Sequence, residues 1–154
     1  MTDIDARLKS LGITLPEATA PVANYVPFQT AGDQVHVSGQ ISFGPEGLVT
    51  GRLGADLDLE AGQAAARLCA INILAQLKKA CGGELSRVTQ IVKLGGFVNA
   101  DPGFFDVPKV INGASDLMVE VFGDSGRHAR SAVGVAVLPL NAAVEVDAIV
   151  RIAP

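Results

Sequence analysis

The C-terminal stretch reads Ala129-Arg-Ser-Ala-Val-Gly-Val-Ala-Val-Leu-Pro-Leu-Asn-Ala-Ala-Val-Glu-Val-Asp-Ala-Ile-Val-Arg-Ile152. Its second half alternates. Val144, Val146, Ala148, Val150 and Ile152 stand against Glu145, Asp147, Ile149 and Arg151, the period of two that a half-buried strand requires. Its first half does not alternate: Ala132 to Leu138 is apolar almost throughout, which predicts a central strand buried on both faces. Pro139 to Ala142 supplies the turn between them. Two strands therefore close the chain, and the upstream segments must cover their apolar faces.

Upstream, Val107, Val110, Ile111, Ala114, Met118 and Val121 recur at helical spacing. Asp106 is placed to cap this helix, Pro108 sits in its first turn and Gly123 ends it. Before it, Val88 to Val98 is β-branched and interrupted by Gly95-Gly96, a sign of a bulge or of close backbone approach. A longer helix is predicted over 59–81, capped by Asp58 and stopped by Gly82-Gly83, with Leu68, Ile71, Leu74, Leu77 and Cys81 on its apolar face. From Tyr25 the period is two, with Val35 and Val37 opposed to His36, Ser38 and Gln40. Gly44-Pro45-Glu46-Gly47 then turns into a short strand at Leu48 to Gly51. A short helix, Ile4 to Leu11, opens the chain. The order β-β-α-β-α-β-β, with two amphipathic helices on one face of a mixed sheet, specifies a single α+β domain over residues 1–154, with 1–20 as an N-terminal helical extension.

Composition bounds the function. The 154 residues include 12 basic and 16 acidic side chains, a net charge of −4, with 49% apolar and 5% aromatic residues. An acidic chain poor in aromatics lacks the cations that bind phosphates and the rings that stack bases, so nucleic acid is not the expected partner. No apolar run is long enough to span a bilayer, and the N-terminus has no basic segment leading into an apolar one, so a cytoplasmic protein is expected. Cys69 and Cys81 stand in one helical stretch roughly 18 Å apart, too far to bridge. Neither phosphate-cradling glycine loop is present, the two histidines lack metal-ligand spacing, and no nucleophile elbow occurs. No metal or cofactor is expected.

What remains is a set of polar residues at strand and helix edges. Arg130 directly precedes the apolar strand, where a guanidinium offers a planar fork to a carboxylate; an internal salt bridge or a surface arginine is the alternative. Glu145 lies on the last strand opposite its valines, either as a functional carboxylate or as a cross-strand partner. Ser38 and the Gly39 N–H can face a ligand, or can simply satisfy the strand end. Tyr25 is the single tyrosine, a cleft wall or a core-edge ring. Asn112 stands on the shoulder of the second helix's stripe, open to a ligand or to a backbone bond.

In order along the chain, Tyr25-Val-Pro-Phe, Val37-Ser-Gly-Gln-Ile-Ser, Asn112-Gly-Ala-Ser, Ala129-Arg-Ser-Ala-Val, Leu138-Pro and Val144-Glu-Val-Asp-Ala-Ile resemble the YjgF/Rid family of imine deaminases. That family is also labelled the liver perchloric-acid-soluble "endoribonuclease" family. The resemblance covers nearly the whole chain from Tyr25. Arg7-Leu-Lys-Ser-Leu-Gly and Gly126-Arg-His-Ala-Arg-Ser-Ala-Val-Gly look like a less studied branch. It implies a chorismate-mutase-like α+β fold and homotrimers with sites in the clefts between subunits. It implies a cofactor-independent deaminase that converts 2-imino or enamine acids to 2-oxo acids and ammonia.

Carried over by residue, Arg130 would clamp the substrate carboxylate and Glu145 would activate the attacking water. Ser38 and Gly39 would bind near the amine or carboxylate end, and Tyr25 and Asn112 would wall the cleft. Ala132 stands where the family's well-studied deaminases often carry cysteine. The competing readings are a non-catalytic module that binds a small carboxylate metabolite and, against the acidic charge, a ribonuclease.

Overall fold

The computed structural model describes residues 3–20 and 23–154. Helix α1 (Ile4–Ser10) is followed by strands β1 (Phe28–Ala31) and β2 (Gln34–Ile41) and by the two-residue strands β3 (Phe43–Gly44) and β4 (Gly47–Leu48). Then come α2 (Leu59–Ala80), β5 (Val88–Asn99), α3 (Val107–Phe122), β6 (Ala129–Val135) and β7 (Val144–Ile152). The main sheet has the order β1-β2-β7-β5-β6. Only the β5–β6 pair is parallel, because α3 crosses over between them.

The helix boundaries follow their caps. The Asp58 side chain accepts from the Ala61 N–H at 2.9 Å, and the Asp3 side chain caps α1 through the Ala6 N–H. Asp106 precedes α3 as expected but makes no cap bond; its carboxylate pairs with Lys109 at 3.3 Å instead. Gly123, at φ 61°, ends that helix.

Helices α2 and α3 cover one face of the sheet. Their Ala65, Ala66, Cys69, Ile73, Leu74, Ile111, Ala114 and Met118 meet Val35, Leu94, Val98, Val144, Val146 and Val150, all fully buried. The expected stripe on α3 is buried throughout. On α2 the buried face is rotated toward its alanines, because Gly113 lets the helices approach closely. A Cβ there would collide with the Gln63 carbonyl. Leu68 and Ile71 consequently fall at the margin and stay half-buried.

Two expectations are corrected. The segment Ala132 to Leu138 is not a central strand buried on both faces: β6 ends at Val135 and forms the edge of the sheet, with Val133 at 47% and Val137 at 77% exposure. Its apolar content reflects a face left uncovered by this chain, while the central place belongs to the alternating β7. The strand expected at Leu48 to Gly51 shrinks to Gly47–Leu48, because the Gly44–Gly47 turn leaves the pair only two residues long. Sequence reading also did not pair Phe28–Ala31 with β2; Gly32 at φ 62° turns that hairpin.

Gly95-Gly96 marks close approach rather than a bulge. Asp147 packs onto the Gly95 Cα from one face and Ile111 onto Gly96 from the other. The register shifts of β5 lie between Val88 and Lys93 instead. Both cysteines are free and buried. Among the described residues no helix is long and apolar enough to cross a membrane.

Candidate functional site

The first group of site residues sits where β6 meets α3. In the parallel ladder Arg130 is level with Leu94, whose side chain enters the helix-covered core, so Arg130 points to the helix side. There its Nη1 donates to Asn112 Oδ1 at 2.7 Å and to Ser115 Oγ at 3.2 Å. Asn112 and Ser115 are three residues apart on α3 and share one face. Behind them His128 lies 2.9 Å from Ser115 Oγ through Nε2 and 2.7 Å from the Gly126 carbonyl through Nδ1. Arg130 has no carboxylate partner among the described ion pairs, so its charge is held by neutral groups. An open cleft of about 350 Å³ lies over this cluster.

The second group lies on the opposite, helix-free face. Glu145 alternates with the buried Val144 and Val146, and is level with Ile41 on one side and Phe97 on the other. Gly39 sits in the irregular part of β2, and a Cβ at that position would lie 2.8 Å from the Glu145 Cδ and Oε2. The glycine therefore makes room for the carboxylate. Half-burial raises the Glu145 pKa above the ordinary carboxylate value, and the charge of Asp147, two residues on and on the same face, raises it further.

Ser38 belongs to this end of the sheet. Its hydroxyl donates to the Val26 carbonyl at 2.7 Å and its N–H to the Pro27 carbonyl at 2.9 Å, which tie the segment after Tyr25 to β2. Tyr25 is 55% exposed. Sequence reasoning thus named residues of both groups but missed Ser115, His128 and Asp147. The available signals were the i, i+3 spacing of Ser115 from Asn112 and the i, i+2 spacing of Asp147 from Glu145.

One chain brings Arg130 together with Asn112, and Glu145 with Gly39, but does not bring the two pairs together. They occupy opposite faces of the sheet. The N-terminal extension covers neither: Ile4 and Leu8 are buried, Asp5 pairs with Lys78 at 3.1 Å and the Gln76 amide reaches Thr19, all on the helix layer. Two larger cavities, about 940 and 1080 Å³, lie beside residues 11–18 where the chain crosses α2 without filling the space. Neither Arg130 nor Glu145 lines either of them. Cys69 is fully buried, and burial together with the Glu145 charge pushes its thiol pKa well up, so it is not a nucleophile. Among the described residues no three His, Cys, Asp or Glu side chains are grouped to hold a metal ion.

Comparison with known proteins identifies the family. Residues 5–151 match the family described as "YjgF/chorismate mutase-like, putative endoribonuclease". Protein TCP17 of Trypanosoma cruzi is 52% identical over 97% of this chain and 94% of its own. A 2-iminobutanoate/2-iminopropanoate deaminase of Dermatophagoides farinae is 34% identical, covering 91% of this chain and 94% of its own. Among solved structures, the protein Atu1372 of Agrobacterium tumefaciens, of unknown function, superposes with a TM-score of 0.91 at 52% identity, over 97% of this chain and 92% of its own. TdcF of E. coli, solved with bound serine, reaches a TM-score of 0.62 at 28% identity, over 89% of this chain and 94% of its own. With its fold and nearly its whole length matched, the chain belongs to the YjgF family, in the chorismate-mutase-like α+β fold.

Proposed function

We propose that this protein hydrolyses 2-imino and enamine acids to 2-oxo acids and ammonia, in clefts between the subunits of a homotrimer. The observation that carries the reading is the split of the site. Arg130, steadied by Asn112, carries a guanidinium on one face, and Glu145 sits close against Gly39 on the other. A cleft holding both draws Arg130 from one subunit and Glu145 from its neighbour. The uncovered β6 edge supports association, since an apolar edge strand left in water invites non-specific pairing. The deaminase of Dermatophagoides farinae lends its reaction to the proposal, and the serine bound to TdcF lends the class of ligand, a small 2-substituted acid.

The chemistry suits these groups. Arg130 holds the carboxylate by two parallel N–H donors. Ionised Glu145 accepts a proton from water as its oxygen bonds to the carbon of the protonated imine, giving a carbinolamine. Glu145 then returns that proton to the nitrogen. Ammonia leaves as the hydroxyl oxygen forms the carbonyl, and the hydroxyl proton goes back to the carboxylate. Tyr25, Ser38 and Gly39 wall the Glu145 side. Acid–base help of this kind is worth roughly 10²–10⁴-fold.

Ala132 favours a second reading, a binding module without turnover, because it puts a methyl group where the family's deaminases often carry a thiol. Generating 2-aminoacrylate or 2-iminobutanoate in situ with a separate lyase and following 2-oxo acid release decides between them. Acceleration at micromolar protein is expected. Saturable binding with no acceleration would leave the binding module.

A further inference from the structure

The polar groups behind Arg130 form a chain whose hydrogen positions can be deduced. The Gly126 carbonyl can only accept, so the His128 nitrogen 2.7 Å away, Nδ1, carries the proton. In the neutral ring Nε2 is then an acceptor, and the hydroxyl proton of Ser115, 2.9 Å off, is drawn to it. Arg130 Nη1 donates to the same Ser115 oxygen at 3.2 Å and occupies one lone pair. One acceptor lone pair remains on Ser115, within the cleft lined by Arg130, and no proton remains for it to donate.

The ring is kept neutral by its surroundings. Burial lowers the His128 pKa from its ordinary value, outweighing the Gly126 carbonyl, and the Arg130 charge adds to the lowering. The other charged groups at the cleft are Asp116 of α3 and Arg127, the latter paired with Asp124 at 3.4 Å.

We propose that Ser115, locked as an acceptor by His128, is a specificity residue that makes the Arg130 cleft prefer acids bearing N–H at carbon 2, the 2-imino and 2-amino acids, over 2-oxo acids. The inference rests on the reading of Arg130 as the carboxylate clamp. A carboxylate on the guanidinium can set its carbon-2 substituent toward the neighbouring hydroxyl, which Arg130 Nη1 contacts at 3.2 Å. An N–H there completes the last lone pair, whereas a carbonyl oxygen meets lone pair against lone pair. The preference admits the nitrogen-bearing substrate and favours release of the 2-oxo product.

Calorimetric titration of the full-length protein at pH 8 with L-serine and with pyruvate tests this. The native protein should bind L-serine more tightly. Ser115→Ala should weaken L-serine by up to about tenfold while leaving pyruvate unchanged or tighter. His128→Ala frees the hydroxyl proton and should tighten pyruvate while weakening L-serine. Arg130→Gln should weaken both ligands and serves to test the clamp separately. If Arg130→Gln weakens both but Ser115→Ala changes both equally or neither, the specificity proposal is overturned and the clamp stands. If Arg130→Gln leaves both unchanged, or the native protein binds neither, the clamp reading falls and the proposal with it. Unchanged helical circular dichroism and melting of Ser115→Ala exclude a folding effect.

Discussion

Arg130 and Glu145 lie on opposite faces of one sheet, with β5 between their strands. The guanidinium is held by Asn112 and Ser115 of α3, and the carboxylate is set against Gly39 of β2. Neither residue touches the other within a chain: neutral side chains hold Arg130, while Glu145 packs on Gly39 and feels the charge of Asp147.

The first prediction concerns the clamp. Arg130→Lys keeps the charge but loses the planar fork, so it should not restore activity to an Arg130-deficient enzyme. Steady-state kinetics on 2-iminobutanoate should show a loss in kcat/KM of at least about 10²-fold for both Arg130→Lys and Arg130→Gln, with melting temperatures near that of the native protein. Native-like kcat/KM for the lysine variant would show that charge alone suffices.

Gly39 is a second test point. Its substitution by alanine puts a methyl group 2.8 Å from the Glu145 Cδ and forces the carboxylate to swing away. A displacement of about 1 Å in an acid–base group costs on the order of 10²-fold, so kcat should fall while binding of a 2-oxo acid persists.

The pH dependence follows from the sign of the Glu145 shift. Burial first, and Asp147 second, raise its pKa, so as acid is added its carboxylate takes up a proton at a higher pH than a free glutamate does. The acidic limb of the kcat profile should therefore sit above the range of a free glutamate. Asp147→Asn removes the second cause and should move that limb to lower pH. A limb unmoved by Asp147→Asn would assign it to another group.

Stability depends on the contact between α2 and α3. Gly113→Ala drives a methyl group into the Gln63 backbone carbonyl, which cannot rotate aside as a side chain can. The helices must separate, and urea unfolding should show a loss of about 1–3 kcal/mol or more. Gly123→Ala, at φ 61° and ψ −134° with open space around it, tests backbone conformation alone, and should cost about 1–3 kcal/mol.

Much of the fold was legible because periodicity reports local geometry. The alternation of Val144 to Ile152, the stripe from Val107 to Val121 and the Asp58 cap all matched the structure. The place of β6 was not legible, because an apolar run looks the same whether its neighbour is a strand of the same chain or a surface left bare. At the site, Arg130, Asn112, Glu145 and Gly39 stood out by residue type and position. Their division between two faces depended on the β5 register, with Leu94 level with Arg130 and Phe97 level with Glu145, which a linear reading does not contain. Ser115 and His128 were hidden for a related reason: each is ordinary alone, and only the packing of β6 on α3 joins them.

In the proposed trimer each cleft takes Arg130 from one chain and Glu145 from another, and mixing two inactive variants tests that sharing. Arg130→Gln and Glu145→Gln proteins, unfolded together in equal amounts and refolded, should regain about a quarter of the native activity per site, because that share of the interfaces in randomly mixed trimers joins an intact arginine to an intact glutamate. Each variant refolded alone should stay inactive. Mixed trimers of normal mass, three times the 15.8 kDa chain, that recover no activity would rule out the shared cleft.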